Sequence, residues 1–204
     1  MSVVIAACTN EYGFIMADTR MVSKLDNSVI VSENIEKIKV LSDYVCLGYA
    51  GDGEFIMSAV KHISFSRNDC LEECSLGLLR AIERVKAILM MPQIDAHFIL
   101  LGKKKAGSLG IIKFSSSEDF QPYLCEPQIE LPAYAMSIPR SDSGSDVNYS
   151  DELVKIIKLH KTDIELAINL KSRLVSLAEI STTVNDNIIV YQVSANNGVV
   201  LKNI

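Results

Sequence analysis

The stretch GFIMADTR at positions 13–20 is an apolar run that ends in an acid, a hydroxyl and a base. A second apolar run, rich in Val and Ile, precedes it at positions 2–7, and the polar segment 10–13 between them is a turn signal. Two such runs joined by a short turn predict a β-hairpin. This hairpin would return Asp18 towards the N-terminus of the chain.

The rest of the sequence predicts further strands and two pairs of helices. Further strands are predicted at 29–31, 35–41, 44–50, 96–101, 109–114, 123–125, 134–137, 187–193 and 199–201. Helices are predicted at 54–65, 70–90, 150–160 and 162–180, with Asp69 as the cap of the second. Strands, two helices, strands, two helices and a final hairpin do not alternate as in a parallel α/β sheet. The order favours an α+β fold of two stacked antiparallel sheets flanked by helix pairs, a four-layer αββα sandwich.

The composition is that of a globular protein with a mildly acidic balance. Apolar residues make up 49% of the 204 residues and charged residues 22%, as in ordinary globular proteins. A chain of this length suits a single domain over 1–204, although two small domains would also fit. The net charge of −5 argues against nucleic-acid binding, because an acidic chain repels phosphate backbones. No stretch reaches the roughly 20 apolar residues of a membrane span. We therefore expect no membrane partner and a cytoplasmic location.

The number and spacing of the cysteines do not indicate a disulfide framework. Five of them, an odd number, stand at positions 8, 46, 70, 74 and 125, which predicts reduced thiols. Cys70 and Cys74 are one helical turn apart, but no second pair of metal ligands accompanies them. We expect neither a metal nor a cofactor.

The familiar catalytic motifs do not occur in this sequence. It contains no GxSxG, HExxH, P-loop or GxGxxG. His62, His97 and His160 are scattered along the chain without an evident Ser or Cys partner, which argues against a histidine-based hydrolase.

The glycine-rich segment GYAGDG at 48–53 lies between a predicted strand and a predicted helix. Backbone N–H groups at such a junction can meet an anion, so the segment could be a phosphate cradle or an oxyanion hole. It could also be a tight turn that needs the conformational freedom of glycine, which is the simplest interpretation.

The start of the chain carries a candidate nucleophile. Removal of Met1 would leave Ser2 with its hydroxyl and its α-amine on one residue. An α-amine with a pKa of roughly 7.7–8.0 suits a general base at neutral pH, and a terminal amine can activate its own hydroxyl. The hairpin brings Asp18 near, and Lys37 on a following strand could supply a cation that tunes the amine.

Each of these residues also has a simpler interpretation. Asp18 could pair with Arg20 at the end of a strand. Lys37 shares a two-residue alternation with Lys39, which is typical of a solvent-facing strand surface. Spacing alone does not decide between a catalytic group and these structural roles.

Four segments taken together carry a family resemblance. They are SVVIAA at 2–7, GFIMADTR at 13–20, IEKI at 35–38 and GYAG at 48–51. This set resembles a proteasome β-type subunit and, equally, the bacterial proteasome-like proteases of the HslV and Anbu types. These are N-terminal nucleophile hydrolases. The resemblance implies the αββα sandwich, a ring-shaped homo-oligomer, and hydrolysis of peptides or unfolded proteins through an acyl-enzyme. It also implies an ATPase or activator as a further partner.

The resemblance implies roles for individual residues. Ser2 falls on the nucleophile, Asp18 on the carboxylate that holds the catalytic lysine, and Lys37 on that lysine. Gly51 falls on the glycine whose N–H forms the oxyanion hole, and Arg20 on the structural arginine of the ADTR box.

Three further positions match residues that line the primary specificity pocket. These are Met21, Ile35 and Tyr49. Because Met21 and Tyr49 are bulky, the resemblance implies a shallow pocket.

The sequence departs from the family pattern at three places. The nucleophile is Ser rather than the usual Thr. The Gly- and Ser-rich stretch of the family is SIPRSD at 137–142, and its Asp-x-x-Ser-Gly pattern is STTVND at 181–186. Ser181 or Asp186 are the candidates to replace the lost polar groups.

These departures leave three hypotheses. The first is a peptidase subunit with Ser2 as nucleophile. The second is a non-catalytic ring subunit or scaffold that keeps the fold. The third is an N-terminal nucleophile amidase that acts on a small molecule.

Overall fold

The computed structural model describes residues 3–23, 26, 28–91, 93–129, 131–138, 149–159, 164–179, 181 and 183–202, with the backbone alone at 149 and 150. The strands are β1 (Val4–Cys8), β2 (Tyr12–Asp18), β3 (Met21–Val22), β4 (Ile30–Ser32), β5 (Ile38–Ser42), β6 (Val45–Gly51), β7 (Ala96–Lys103), β8 (Leu109–Ser115), β9 (Tyr123–Cys125), β10 (Ala133–Ser137), β11 (Ile188–Ser194) and β12 (Gly198–Lys202). The α-helices are α1 (Gly53–His62), α2 (Leu71–Leu89), α3 (Tyr149–Leu159) and α4 (Ile164–Ala178).

Ten of these strands form two five-stranded antiparallel sheets. The first sheet has the order β10-β1-β2-β11-β12, and the second has the order β5-β6-β7-β8-β9. The predicted hairpin of β1 and β2 lies at the centre of the first sheet, where Val4 pairs with Ala17. The α+β class, with two antiparallel sheets and four helices among the described residues, is confirmed.

Three apolar clusters form where alternate faces of the strands are buried. One lies between the two sheets and includes Val4, Ala6 and Ile15 of the first sheet with Ile99 and Leu101 of the second. A second covers the other face of the second sheet with α1 and α2, and a third covers the other face of the first sheet with α3 and α4. Each fully buried Leu, Ile or Phe stabilises the fold by roughly 1.5–3 kcal/mol.

Three local predictions were wrong. The helix predicted at 54–65 ends at His62, because the next residue, Ile63, is extended. The strand predicted at 35–41 begins only at Ile38, because the chain before it turns away: Ile35 N donates to Thr19 O, and the Lys37 side chain is buried. The cap of α2 is Cys70 rather than Asp69. Glu73 Oε2 accepts from Cys70 N at 2.9 Å, whereas the Asp69 carboxylate accepts from Ser66 N.

None of the described helices is long and apolar enough to cross a membrane. Within the described ranges, no group of three His, Cys, Asp or Glu side chains is arranged to hold a metal ion.

The thiols differ strongly in burial, which makes their reactivity predictable. All five are free; Cys8, Cys46 and Cys74 are buried, while Cys70 and Cys125 are half-buried. Burial raises the pKa of Cys8 and of Cys74 to about 12, and it also raises the pKa of Cys46. Since the thiolate is the reactive form, we expect at most two thiols of the native protein to react with an aromatic disulfide at pH 8. All five should react in denaturant, and rapid labelling of all five in the native protein would contradict the described packing.

Candidate active site

Asp18 and Lys37 form a buried ion pair. Lys37 Nζ lies 2.8 Å from both Asp18 Oδ1 and Asp18 Oδ2, and it also donates to the main-chain oxygen of Arg20. The exposed fraction is 0% for Asp18 and 4% for Lys37. The structural readings left open by the sequence are therefore wrong. Lys37 does not face solvent as Lys39 partly does, and the Arg20 side chain pairs with Glu33 instead of Asp18.

The two sheets bring the pair together. Asp18 ends β2 in the first sheet, while Lys37 directly precedes β5 in the second and its carbonyl accepts from Tyr49 N of β6. The ion pair thus joins the end of β2 to the start of β5 through two residues that are 19 positions apart in the sequence. A buried carboxylate and ammonium are tolerated only when both are paired and hydrogen-bonded.

The Asp18 carboxylate also reaches the N-terminal end of the chain. Val3 N donates to Asp18 Oδ1 at 2.9 Å, and Arg20 N donates to Asp18 Oδ2 at 3.0 Å. The carboxylate thus accepts from two main-chain N–H groups and from the ammonium of Lys37. Val3 is therefore hydrogen-bonded directly to the ion pair.

The electrostatics of Lys37 set two effects against each other. Burial lowers the pKa of Lys37 below its usual range, and the nearby Asp18 carboxylate opposes that shift without cancelling it. A lysine in this setting loses its proton more readily than a surface lysine does.

The Gly51–Gly53 turn is a tight junction between β6 and α1. Gly51 has a φ of +118°. A Cβ placed on it would lie 2.1 Å from the main-chain oxygen of Asp95, which directly precedes β7. Asp52 N donates to the same oxygen, and Asp52 caps α1 by accepting from Glu54 N. Glycine is therefore required at position 51 by both conformation and space.

The three predicted pocket residues each make contacts that the structure describes. Met21 lies beside the turn, since a Cβ placed on Gly53 would be 3.0 Å from Met21 Cε. Ile35 is half-buried, with its N–H bonded to Thr19 O. The ring of Tyr49 belongs to the cluster between the second sheet and α1/α2, and its hydroxyl donates to Glu36 O at 2.6 Å.

Sequence reasoning missed Asn185 and Glu33. Asn185 is 5% exposed and binds Thr19 and Glu33, while Arg20 Nε lies 3.1 Å from Glu33 Oε2. The candidates named from the sequence take other places: Asp186 is exposed, and Ser181 Oγ lies 3.1 Å from Thr183 Oγ1. The polar stretch before β11 was the only signal, and it did not say which residue points inward.

Other sequence predictions fall elsewhere. Ser2 and Met1 lie outside the described residues, as do His160 and positions 139–142 of the departing segment. His62 is exposed, and His97 lies 3.4 Å from Asp95. Neither histidine contributes to the contacts of the Asp18–Lys37 pair described above.

The comparisons with known proteins bear on the fold. No protein-family model and no curated protein matches this sequence. Among solved structures, the chain is similar to the Gly-1 mutant of Anbu from Hyphomicrobium sp. strain MC1, with a TM-score of 0.74 and 13% identity. The match covers 100% of this chain and 87% of that one. At the level of the fold, this confirms the resemblance to an Anbu-type, proteasome-like protein.

Proposed function

We propose that this chain is a proteasome-like peptidase subunit that hydrolyses peptide bonds with Ser2 as its N-terminal nucleophile. It forms one domain over residues 1–204, a four-layer αββα sandwich of the N-terminal nucleophile hydrolase type. The three apolar clusters, one between the sheets and one under each helix pair, support this layering. The similarity to Anbu supports the same fold.

One observation carries the proposal: the Asp18 carboxylate binds both Lys37 Nζ and Val3 N. Ser2 is bonded to Val3 through that nitrogen. Removal of Met1 would therefore leave a free α-amine on the residue next to Val3, which shares the Asp18 carboxylate with Lys37.

The proposed chemistry follows from these groups. Ser2 Oγ attacks the peptide carbonyl carbon, and its proton passes to the Ser2 α-amine. The C–N bond then breaks, and that proton goes to the departing amine, which leaves an ester on Ser2. Water attacks the ester by the reverse proton path and releases the carboxylic acid. Lys37, held by Asp18, keeps the α-amine unprotonated by adding positive charge beside it.

The remaining residues have supporting roles. The N–H of Gly51 stabilises the negative oxygen of the tetrahedral intermediate. Met21, Ile35 and Tyr49 line the pocket for the substrate side chain before the cleaved bond. Arg20 holds the turn between β2 and β3 in place.

The proposal includes assembly. The family resemblance implies assembly into rings, and the similarity of fold favours a ring of copies of this chain. Peptides or unfolded proteins would be the substrates, and an ATPase or activator would be a further partner.

The test is an intact-mass spectrum after treatment with a peptide epoxyketone. This reagent captures a hydroxyl together with the free amine of the same residue, so we expect loss of the Met1 mass and one adduct. Ser2→Ala should form none, because the hydroxyl is gone. Ser28→Ala, which removes an exposed hydroxyl elsewhere, should react like the wild type.

The outcomes separate the hypotheses. Retention of Met1 without an adduct would overturn the proposal and favour a non-catalytic ring subunit. An adduct on a small oligomer that leaves peptides intact would favour an amidase for small molecules.

A further inference from the structure

A second polar network lies next to the Asp18–Lys37 pair. Asn185 Oδ1 accepts from Thr19 N at 3.0 Å, and Asn185 Nδ2 donates to Glu33 Oε2 at 2.9 Å and to Glu33 O at 3.2 Å. Thr19 Oγ1 donates to Glu33 O at 2.6 Å. Thr19, Arg20, Glu33 and Asn185 are called the Glu33 network below. It joins the turn after β2, the segment after β4 and the segment before β11.

Arg20 links this network to the ion pair. Its guanidinium binds Glu33 Oε2 at 3.1 Å, its N–H donates to Asp18 Oδ2, and its carbonyl accepts from Lys37 Nζ. Any shift of the Arg20 main chain would therefore move groups that hold both Asp18 and Lys37. Glu33 is one partner that holds the side chain of this residue.

The network also carries charge. Lys37 faces Asp18 on β2, Arg20 after β2 and Glu33 after β4. Arg20 lowers the pKa of Lys37 and Glu33 raises it. The hydrogen bond from Arg20 holds the pKa of Glu33 below its usual range, so Glu33 is negative at neutral pH. Its charge offsets that of Arg20 beside the ammonium.

We propose that Glu33 and Asn185 are positioning residues that together set the place and the protonation of Lys37. Asn185 fixes the Glu33 carboxylate, and Glu33 fixes Arg20 and balances its charge. The inference rests on the proposed function in that Lys37 is taken as the catalytic lysine. Asn185 is an amide because its Oδ1 must accept from Thr19 while its Nδ2 donates to a carboxylate.

Three variants separate the effect of charge at positions 33 and 185 from the effect of the hydrogen bond between these side chains. Glu33→Gln keeps an oxygen for Arg20 and Asn185 but removes one negative charge, so the pKa of Lys37 should fall. Asn185→Asp keeps the acceptor for Thr19 but adds a negative charge beside Glu33, so the pKa of Lys37 should rise. The double variant exchanges amide and carboxylate, which restores both the net charge and the hydrogen bond between positions 33 and 185.

The primary measurement is the pH titration of the Lys37 Cε resonance in protein labelled with ¹³C-lysine, assigned by its loss in Lys37→Arg. The half-exposed Glu33 should shift the midpoint by on the order of 0.5 pH unit. We expect a downward shift in Glu33→Gln, an upward shift in Asn185→Asp and a return towards wild type in the double variant. Glu126→Gln removes a charge that pairs with Lys104 near the other end of the β1–β2 hairpin and should leave the midpoint unchanged.

The same variants are then compared for their rate of epoxyketone adduct formation across pH. A network that only holds the fold would lower the rate without moving its inflection. If the Lys37 midpoint is unmoved in both single variants, the inference is overturned, whatever the adduct shows. If the midpoint moves as expected and the wild type forms no adduct, the network is supported while the proposed peptidase activity is not.

Discussion

Replacing Asp18 with alanine is expected to destabilise the protein by about 3–5 kcal/mol, because it leaves the buried Lys37 ammonium without its counter-charge. The N–H groups of Val3 and Arg20 would lose their acceptor as well. Lys37→Met should cost less, since the Asp18 carboxylate keeps both main-chain donors. The measurement is the free energy of unfolding from urea denaturation, with the slope checked for a change in the denatured state.

The double variant Asp18→Ala/Lys37→Met measures the interaction energy between the two side chains. Its cost should be well below the sum of the two single costs, because neither charge is then buried alone. Glu126→Ala, which breaks a partly exposed ion pair with Lys104, should cost only about 0–1 kcal/mol. An Asp18→Ala cost no larger than that of Glu126→Ala would show that the pair is not buried as described. Where Asp18→Ala does not fold, Asp18→Asn provides the comparison.

Replacing Gly51 with alanine is expected to cost about 3 kcal/mol or more in stability. Two effects combine: the φ of +118° is a conformation that alanine adopts only with strain, and the new Cβ would collide with Asp95 O at 2.1 Å. Relief of this collision would push the ends of β6 and β7 apart and displace the proposed oxyanion donor.

Gly107→Ala is the matched control for this prediction. Gly107 also has a positive φ, +97°, but no atom lies within 4 Å of a Cβ placed there. It should therefore show the conformational cost alone, about 1–3 kcal/mol. The difference between the two free energies of unfolding measures the cost of the collision. Equal costs would mean that the positive φ alone, and not the contact with Asp95 O, requires glycine at position 51.

Much of the fold could be predicted because local sequence patterns indicate its strands and helices. Alternation along β1 and β2, the turn between them, and the three- and four-residue spacing of α2 depend only on neighbours in the chain. The errors were local too. The predicted strand at 35–41 includes positions 35–37, because charged and apolar residues still alternate there. In the structure these residues turn towards Asp18 and β5 begins at Ile38.

Some residues of the candidate site could be predicted from the sequence and others could not. Asp18 and Lys37 could be singled out because the residues around them resemble a known family, and the pair is found at 2.8 Å. Asn185 could not be, because its partner Thr19 lies 166 residues away and no periodicity connects them. Glu33 could not be singled out either, because Arg20 and Asn185 share its carboxylate only in the folded chain.

The sequence by itself thus determined the order of elements, the hairpin that presents Asp18 and the residue types of the site. Only the tertiary structure decided that Lys37 is buried rather than solvent-facing, that the Tyr49 ring packs under α1 and α2, and that Asn185 supports the turn after β2. The physical reason is one of range. Hydrophobic periodicity acts between residues a few positions apart, whereas a buried polar side chain takes its partners from whichever strand ends the packed sheets bring within about 3 Å.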